Sequence, residues 1–191
     1  MNRIIYVIAL TILISACSSK PKGPVHTPPS SVEAISSWET SGRVGIRTAD
    51  DAVSGNFNWQ KTPNTFSLKV VGPFGQGATT LTQNNNSLVT LSYDGKQVTG
   101  SSPAELLEQE LGWGFPVEDV DYWIRGLISP HSNAEVKTDS ATLRPQQITQ
   151  NGWLITYTNF TEVDGLYLPQ KMQVQNPPYR INLIINQWTV R

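Results

Sequence analysis

An alternation with a period of two restricts this chain more than any other feature. Val53, Gly55, Phe57 and Trp59 alternate with Ser54, Asn56 and Asn58, and Phe66, Leu68 and Val70 alternate with Ser67 and Lys69. Val89, Leu91 and Tyr93 alternate with Thr90 and Ser92, after which Asp94-Gly95 marks a tight hairpin turn toward Val98. Trp153, Ile155 and Tyr157 follow the same rule, as do Met172 and Val174, and Ile181, Leu183, Ile185 and Trp188 close the chain. Successive side chains of a strand point to opposite faces, so this pattern builds sheet with one apolar and one polar face. Short turns, Asn84-Asn85-Asn86 among them, make that sheet antiparallel and the fold mainly β.

Two helices interrupt the strands. Ser102-Pro103-Ala104-Glu105 is a capping box with proline at the first helical position, and Ala104, Leu107 and Leu111 form a stripe. A second helix is predicted after Pro116, where Val117, Val120, Ile124 and Leu127 recur at helical spacing. Glu118 and Asp119 suit its positive end, Arg125 suits its last turn, and Gly126 can cap it. Two short helices cover only part of a sheet of about ten strands. The remaining apolar face must close on itself, meet a partner, or line a cavity.

Upstream of the sheet the composition changes twice. Met1-Asn2-Arg3 is a short basic start, and Ile4–Ile14 (IIYVIALTILI) is apolar but too short for a membrane-spanning helix. Residues 1–16 therefore read as a secretory signal, ending in Ile14-Ser15-Ala16 before Cys17. That ending is similar to the lipobox of bacterial lipoproteins, in which the cysteine is acylated and becomes the new N-terminus. Cys17 is the single cysteine of the chain, so no internal disulfide competes for it. Ser18, rather than Asp, at the next position favours the outer membrane over retention at the inner one. Residues 17–36 hold four prolines and several serines, with Lys20, Lys22 and His26 as solvated linker residues. They read as a tether, on the order of 60 Å if fully extended at roughly 3.3 Å per residue. Residues 37–191 read as one domain.

The stretch VVGPFGQG, Val70–Gly77, poses a separate question. Gly and Pro make it a surface turn between strands, yet Phe74 sits at its tip between Pro73 and Gly75. The strand alternation ends before Gly72-Pro73, which places Phe74 outside the sheet. An exposed apolar tip of that kind suits the membrane interface, where it would gain roughly 1.5–3 kcal/mol.

Several segments together resemble one family. GPFG after the third strand, GWGFPVEDVDYWIRGL at Gly112–Leu127, NGWLITY at Asn151–Tyr157, LPQKMQV at Leu168–Val174 and INLIINQW at Ile181–Trp188 are similar to the LolB family of outer-membrane lipoprotein receptors. The soluble carrier LolA has a similar fold without a lipid-bearing cysteine, so Cys17 favours LolB. The resemblance implies an incomplete antiparallel β-barrel of about 10–11 strands, with short helices covering an apolar cavity for acyl chains. It implies Trp59, Trp123, Trp153 and Trp188 as cavity or lid aromatics, with Phe57, Phe66, Leu68 and Ile155 completing the wall. It places Phe74 on the family's exposed turn residue, most often leucine. Implied partners are a LolA-type carrier, acylated lipoprotein cargo and outer-membrane lipid. The protein is expected to be a lipid-anchored monomer facing the periplasm, needing no cofactor.

Charge and nucleophile inventory exclude other classes. The formal net charge is −1, no Lys/Arg cluster appears, and nothing suggests nucleic-acid binding. Of the two histidines, His26 lies in the tether and His131 in a predicted loop, and no G-x-S-x-G occurs. Acylated Cys17 is unavailable as a nucleophile or metal ligand. Glu118, Asp119 and Asp121 read as the solvated first turn of a helix rather than an acidic site. A non-enzyme is expected. An adaptor lipoprotein that docks an envelope-assembly partner through its apolar sheet face is the alternative, and its sheet would be filled rather than hollow.

Overall fold

In a computed structural model the described residues form one sheet of eleven strands with two short helices. The structure describes residues 28–75, 77–85 and 88–191, leaving aside the side chain of Phe74. The signal-like segment, Cys17 and most of the tether lie outside the described residues.

The strands are β1 (Trp38–Arg47), β2 (Ala52–Lys61), β3 (Thr65–Val71), β4 (Ala78–Asn84), β5 (Val89–Tyr93) and β6 (Lys96–Gly100). After the helices α1 (Pro103–Leu111) and α2 (Val117–Trp123) come β7 (Ala134–Thr138), β8 (Pro145–Gln150), β9 (Trp153–Val163), β10 (Leu166–Asn176) and β11 (Tyr179–Val190). Their order in the sheet is β6-β5-β4-β3-β2-β1-β11-β10-β9-β8-β7, every neighbour pair antiparallel. Two meanders are thus joined where the first and last strands pair, and the helical segment crosses from one free edge to the other. β6 and β7 do not pair, so the barrel stays open, as the family resemblance implies.

Alternation selects the inner face. On β1 the buried positions are Trp38, Thr40, Gly42, Val44 and Ile46. On β11 they are Ile181, Leu183 and Ile185, and then Val190, so the phase changes within the strand. Ser41 faces Gln187 while Gly42 faces Ile185, leaving Asn186 as the extra residue of a β-bulge. The bulge moves the inward set from odd to even numbers, which is why Trp188 follows Ile185 by three in an otherwise alternating strand. Gly42, across from it, has no room for a side chain: a Cβ there would lie 2.0 Å from the Ile184 carbonyl oxygen.

The packed domain begins before residue 37. Ile35 is 5% exposed within the core, and Val32 packs against it. The Ser36 and Ser37 amides donate to the Arg191 carbonyl at 3.0 and 3.1 Å. The last residues of the expected tether are therefore part of the globule, because Ile35 has an apolar face to bury and the C-terminal strand offers a backbone partner.

The helices follow their sequence signals with one exception. Ser102 caps α1, its hydroxyl accepting from the Glu105 amide at 3.3 Å, and Gly112 ends the helix at φ 67°. α2 stops at Trp123, a turn earlier than the apolar spacing through Leu127 suggests, although Gly126 does adopt the left-handed conformation at φ 81°.

Candidate functional site

α1 packs on β5 and β6 and touches α2, and together with the connection between them these helices roof part of the inner face. Beneath lies a cavity with about 50 Å³ of free space. Its floor is built by Val44 and Ile46 of β1, Phe57 and Trp59 of β2, Leu68 and Val70 of β3, Leu81 of β4, and Ile181 and Leu183 of β11. The roof is Leu107 of α1, Trp113 and Phe115 of the connection, and Val120 of α2. Thr79 is the one polar side chain in the lining. Period-two alternation delivers the floor, and the 3.6-residue period turns Leu107 and Val120 downward.

Pockets that hold an organic ligand usually enclose roughly 300–1,000 Å³, and even benzene occupies a cavity of about 150 Å³. The roof thus closes over a nearly filled space. Its contacts with the floor are apolar, and Gly112, which opens the connection between the helices, takes a positive φ. The polar links of α1 to its neighbours are few among the described residues, whereas α2 is held by several. The Ser102 hydroxyl donates to Glu118 at 3.0 Å, joining the two helices, and the Tyr93 hydroxyl donates to Glu110, joining β5 to α1. Lys61 at the end of β2 lies 3.7 Å from Asp121 of α2, and Arg125 lies 3.8 Å away. Burial holds the Asp121 carboxyl above its ordinary value, with Lys61 and Arg125 opposing. Asp119 and Asp121 are therefore not the solvated turn expected of them: Asp119 is 4% exposed.

Asp119 belongs to a clasp on the far side of α2. The Ser129 hydroxyl donates to its Oδ1, and His131 Nδ1 lies 2.9 Å from the same oxygen. Serine, histidine and aspartate do meet here, but Ser129 is fully buried and spends its proton on the carboxylate. The same hydroxyl lies 3.1 Å from His131 Nδ1, but a nucleophilic triad needs the serine open to substrate and Ser129 is sealed in, so this arrangement holds a loop in place. Gln150 completes the clasp. Its Oε1 accepts from Trp123 Nε1 at 2.7 Å and the Ser129 amide at 3.0 Å, and its Nε2 donates to the Ser129 and Ser132 carbonyls, each at 2.7 Å. All four hydrogen-bonding positions of the amide are used.

The tryptophans implied as one set divide. Phe57, Trp59 and Leu68 line the cavity. Phe66 packs edge-on behind Trp59, with centroids 5.8 Å apart. Trp123 and Ile155 are fully buried away from the cavity, and the Tyr157 hydroxyl donates to the Trp123 carbonyl at 2.8 Å. That burial pushes the Tyr157 phenol far above its ordinary value. Trp153 lies against Tyr179 at 6.4 Å, and Trp188 meets Trp38 at 5.7 Å and donates to the Pro169 carbonyl at 3.0 Å. None of Trp123, Trp153, Ile155 and Trp188 borders this cavity. Trp113 and Phe115, stacked at 6.2 Å and 23°, do border it, although nothing in the sequence pattern marks them as wall residues. The Gly-Trp-Gly-Phe-Pro run has no periodicity from which their facing could be read.

The turn holding Phe74 lies at one end of this floor. Val70 and Thr79 pair across β3 and β4 and both line the cavity, and the turn begins two residues beyond Val70. Pro73–Gly75 forms a single 3-10 turn, closed by the Gly75 amide donating to the Gly72 carbonyl at 3.2 Å; the Gly72 amide donates to the Gly77 carbonyl at 3.2 Å, and Gly75 and Gly77 lie at φ 77° and 63°. The Phe74 side chain lies outside the described part.

The family model for outer membrane lipoprotein LolB matches residues 36–188. An outer-membrane lipoprotein LolB from Marinomonas sp. (strain MWYL1) is 65% identical over 99% of this chain and 98% of its own. One from Chromohalobacter salexigens is 32% identical over 95% of this chain and 87% of its own. A LolA superfamily protein from Nitrosomonas europaea superposes with a TM-score of 0.51 at 10% identity, over 82% of this chain and 87% of that one, a likeness of fold. An open antiparallel sheet, a helical roof over an apolar cavity and these matches together place the chain in the LolB family of outer-membrane lipoproteins.

Proposed function

We propose that this protein accepts acylated lipoproteins from a LolA-type periplasmic carrier and inserts them into the outer membrane, without catalysing a reaction. The observation that carries the reading is the cavity: fourteen lining residues with a single hydroxyl among them, roofed by two helices and the connection between them. Acyl chains gain roughly 0.8 kcal/mol for each methylene taken out of water. That gain offsets the cost of parting Leu107, Trp113 and Phe115 from the floor, so an arriving chain can replace those roof contacts one for one. A closed empty state keeps water and stray lipid out, and the exchange needs no other energy source.

Cys17 carries the lipid that holds the domain at the outer membrane, and residues 18 to about 30 let it reach a carrier. The Phe74 turn meets the bilayer next to the cavity floor and prepares the place where cargo leaves. The protein acts as a monomer.

The small free volume is also what the second reading, a filled adaptor that docks a partner, would produce. One experiment separates the two. Purified domain is mixed with a carrier loaded with a labelled lipoprotein, and then with liposomes. An acceptor takes the label in water and passes it on; an adaptor leaves it on the carrier.

A further inference from the structure

One group in the cavity wall does not match its apolar setting. Trp59 is 3% exposed and lines the cavity, and its Nε1–H is buried with no hydrogen-bond partner. Two other indoles differ: Trp123 donates to Gln150 at 2.7 Å and Trp188 to the Pro169 carbonyl at 3.0 Å. Rings surround Trp59 instead. Trp38 and Phe66 meet it edge-on, at 5.3 and 5.8 Å between centroids, and an aromatic face is at best a weak acceptor. A wall that only packed would be better served by phenylalanine, because a buried donor without a partner bears its full desolvation cost.

The hydrocarbon of an acyl chain cannot satisfy that donor, but the carbonyl that joins the chain to its carrier can. Resting on the acyl-acceptor reading above, we propose that Trp59 Nε1–H donates to an ester or amide carbonyl of the bound acyl linkage. The donor then fixes how far the chain enters, and makes the cavity prefer acyl chains to plain alkyl chains of equal length. The same carbonyl chemistry occurs in lipoproteins and in glycerophospholipids, so the recognition is of an acyl linkage, and the head group decides which source is taken.

The test uses a synthetic lipopeptide carrying two palmitoyl esters on an S-glyceryl cysteine, its dialkyl ether analogue, and a dipalmitoyl phospholipid. Dissociation constants are measured for the wild type and for Trp59→Phe, and the Trp59 indole N–H resonance is followed in the wild type. The wild type should bind the diester roughly threefold to tenfold tighter than the diether, the worth of one neutral hydrogen bond. Trp59→Phe should bind both with equal affinity, and the indole proton should move downfield with the diester but not the diether. The phospholipid, if it binds, should produce the same downfield shift. Equal binding of diester and diether by the wild type overturns the contact while leaving the acceptor reading intact, as does a preference retained in Trp59→Phe. If neither lipopeptide binds the wild type, the acceptor reading falls and this contact with it. The wild-type comparison and the resonance need no variant, so a Trp59→Phe protein that fails to fold does not blunt the test.

Discussion

The two halves of the sheet bury tryptophan in opposite ways. On the β8–β9 side Trp123 has its indole N–H, its carbonyl and its flanking loop fixed by Gln150, Tyr157 and Ser129. On the β2–β3 side Trp59 has an unpartnered N–H, aromatic neighbours and a cavity. Around Trp123 the polar groups are paired, and nothing could enter there without breaking them. The β2–β3 side is left with a donor and a space, covered by a roof whose floor contacts are apolar. Apolar contacts can be exchanged for other apolar contacts at little cost, whereas a satisfied buried network cannot. On the acceptor reading proposed above, the pinned half, α2 included, is the frame, and α1 with the connection that follows it is the part that changes.

Substitutions can break that contrast. Trp123→Ala should have the largest effect, a loss of about 3–5 kcal/mol of stability by chemical denaturation, because it opens a large void and strands the Gln150 amide. A loss below about 1 kcal/mol would mean that the β8–β9 half is not the frame. Phe74→Glu should leave stability and uptake from the carrier near wild type. It should slow release into liposomes by a factor equivalent to about 1.5–3 kcal/mol, while Phe74→Leu behaves as wild type. Uptake blocked with release intact would make the turn a carrier-docking or packing element instead. Trp59→Gln should weaken cargo binding by about 1–3 kcal/mol, since an amide in an apolar cavity lacks partners for most of its hydrogen-bonding positions. Unchanged affinity in a folded variant would remove Trp59 from the cargo surface.

These contrasts were unequally legible in the sequence. Alternation identified the inner faces of β2, β3, β5, β9 and β11, and even the jump from Ile185 to Trp188 was visible before the Asn186 bulge explained it. The edge strand β7 is mostly exposed and carries no such pattern. What no pattern could show is which of several inward tryptophans meets space and which meets a partner. That depends on pairs such as Trp123 with Gln150, 27 residues apart, and on the crossing of the helical segment from one edge to the other. Asp119 was misread for the same reason. Its position in the first turn of a helix suggests solvent, and only the loop bringing Ser129 and His131 against it makes it a buried anchor.

Asp121 gives the smallest effect and sharpens the comparison from the roof's side. Burial raises its carboxyl above the ordinary 3.8, so the folded protein holds the proton more tightly than the unfolded chain does. The stability from this group is fully present below that unfolded value and is lost as pH rises through the folded one. The stability of the wild type relative to Asp121→Asn should therefore increase as pH falls from 7 toward 4. A difference that does not change with pH would show that Lys61 and Arg125 fully compensate the burial.

The most direct test of the account asks whether the roof must lift. In a Cys17→Ala domain, Tyr93→Cys and Glu110→Cys place thiols on β5 and α1, where the native side chains already touch. A short bismaleimide joining them fastens the roof to the sheet. Transfer of a labelled lipoprotein from the loaded carrier is then measured for the bridged protein and for the same variant capped with a monofunctional maleimide. The account predicts that the capped protein takes cargo and the bridged protein takes almost none. Equal transfer by both would contradict it, because acyl chains would then be entering a site other than the space beneath this roof.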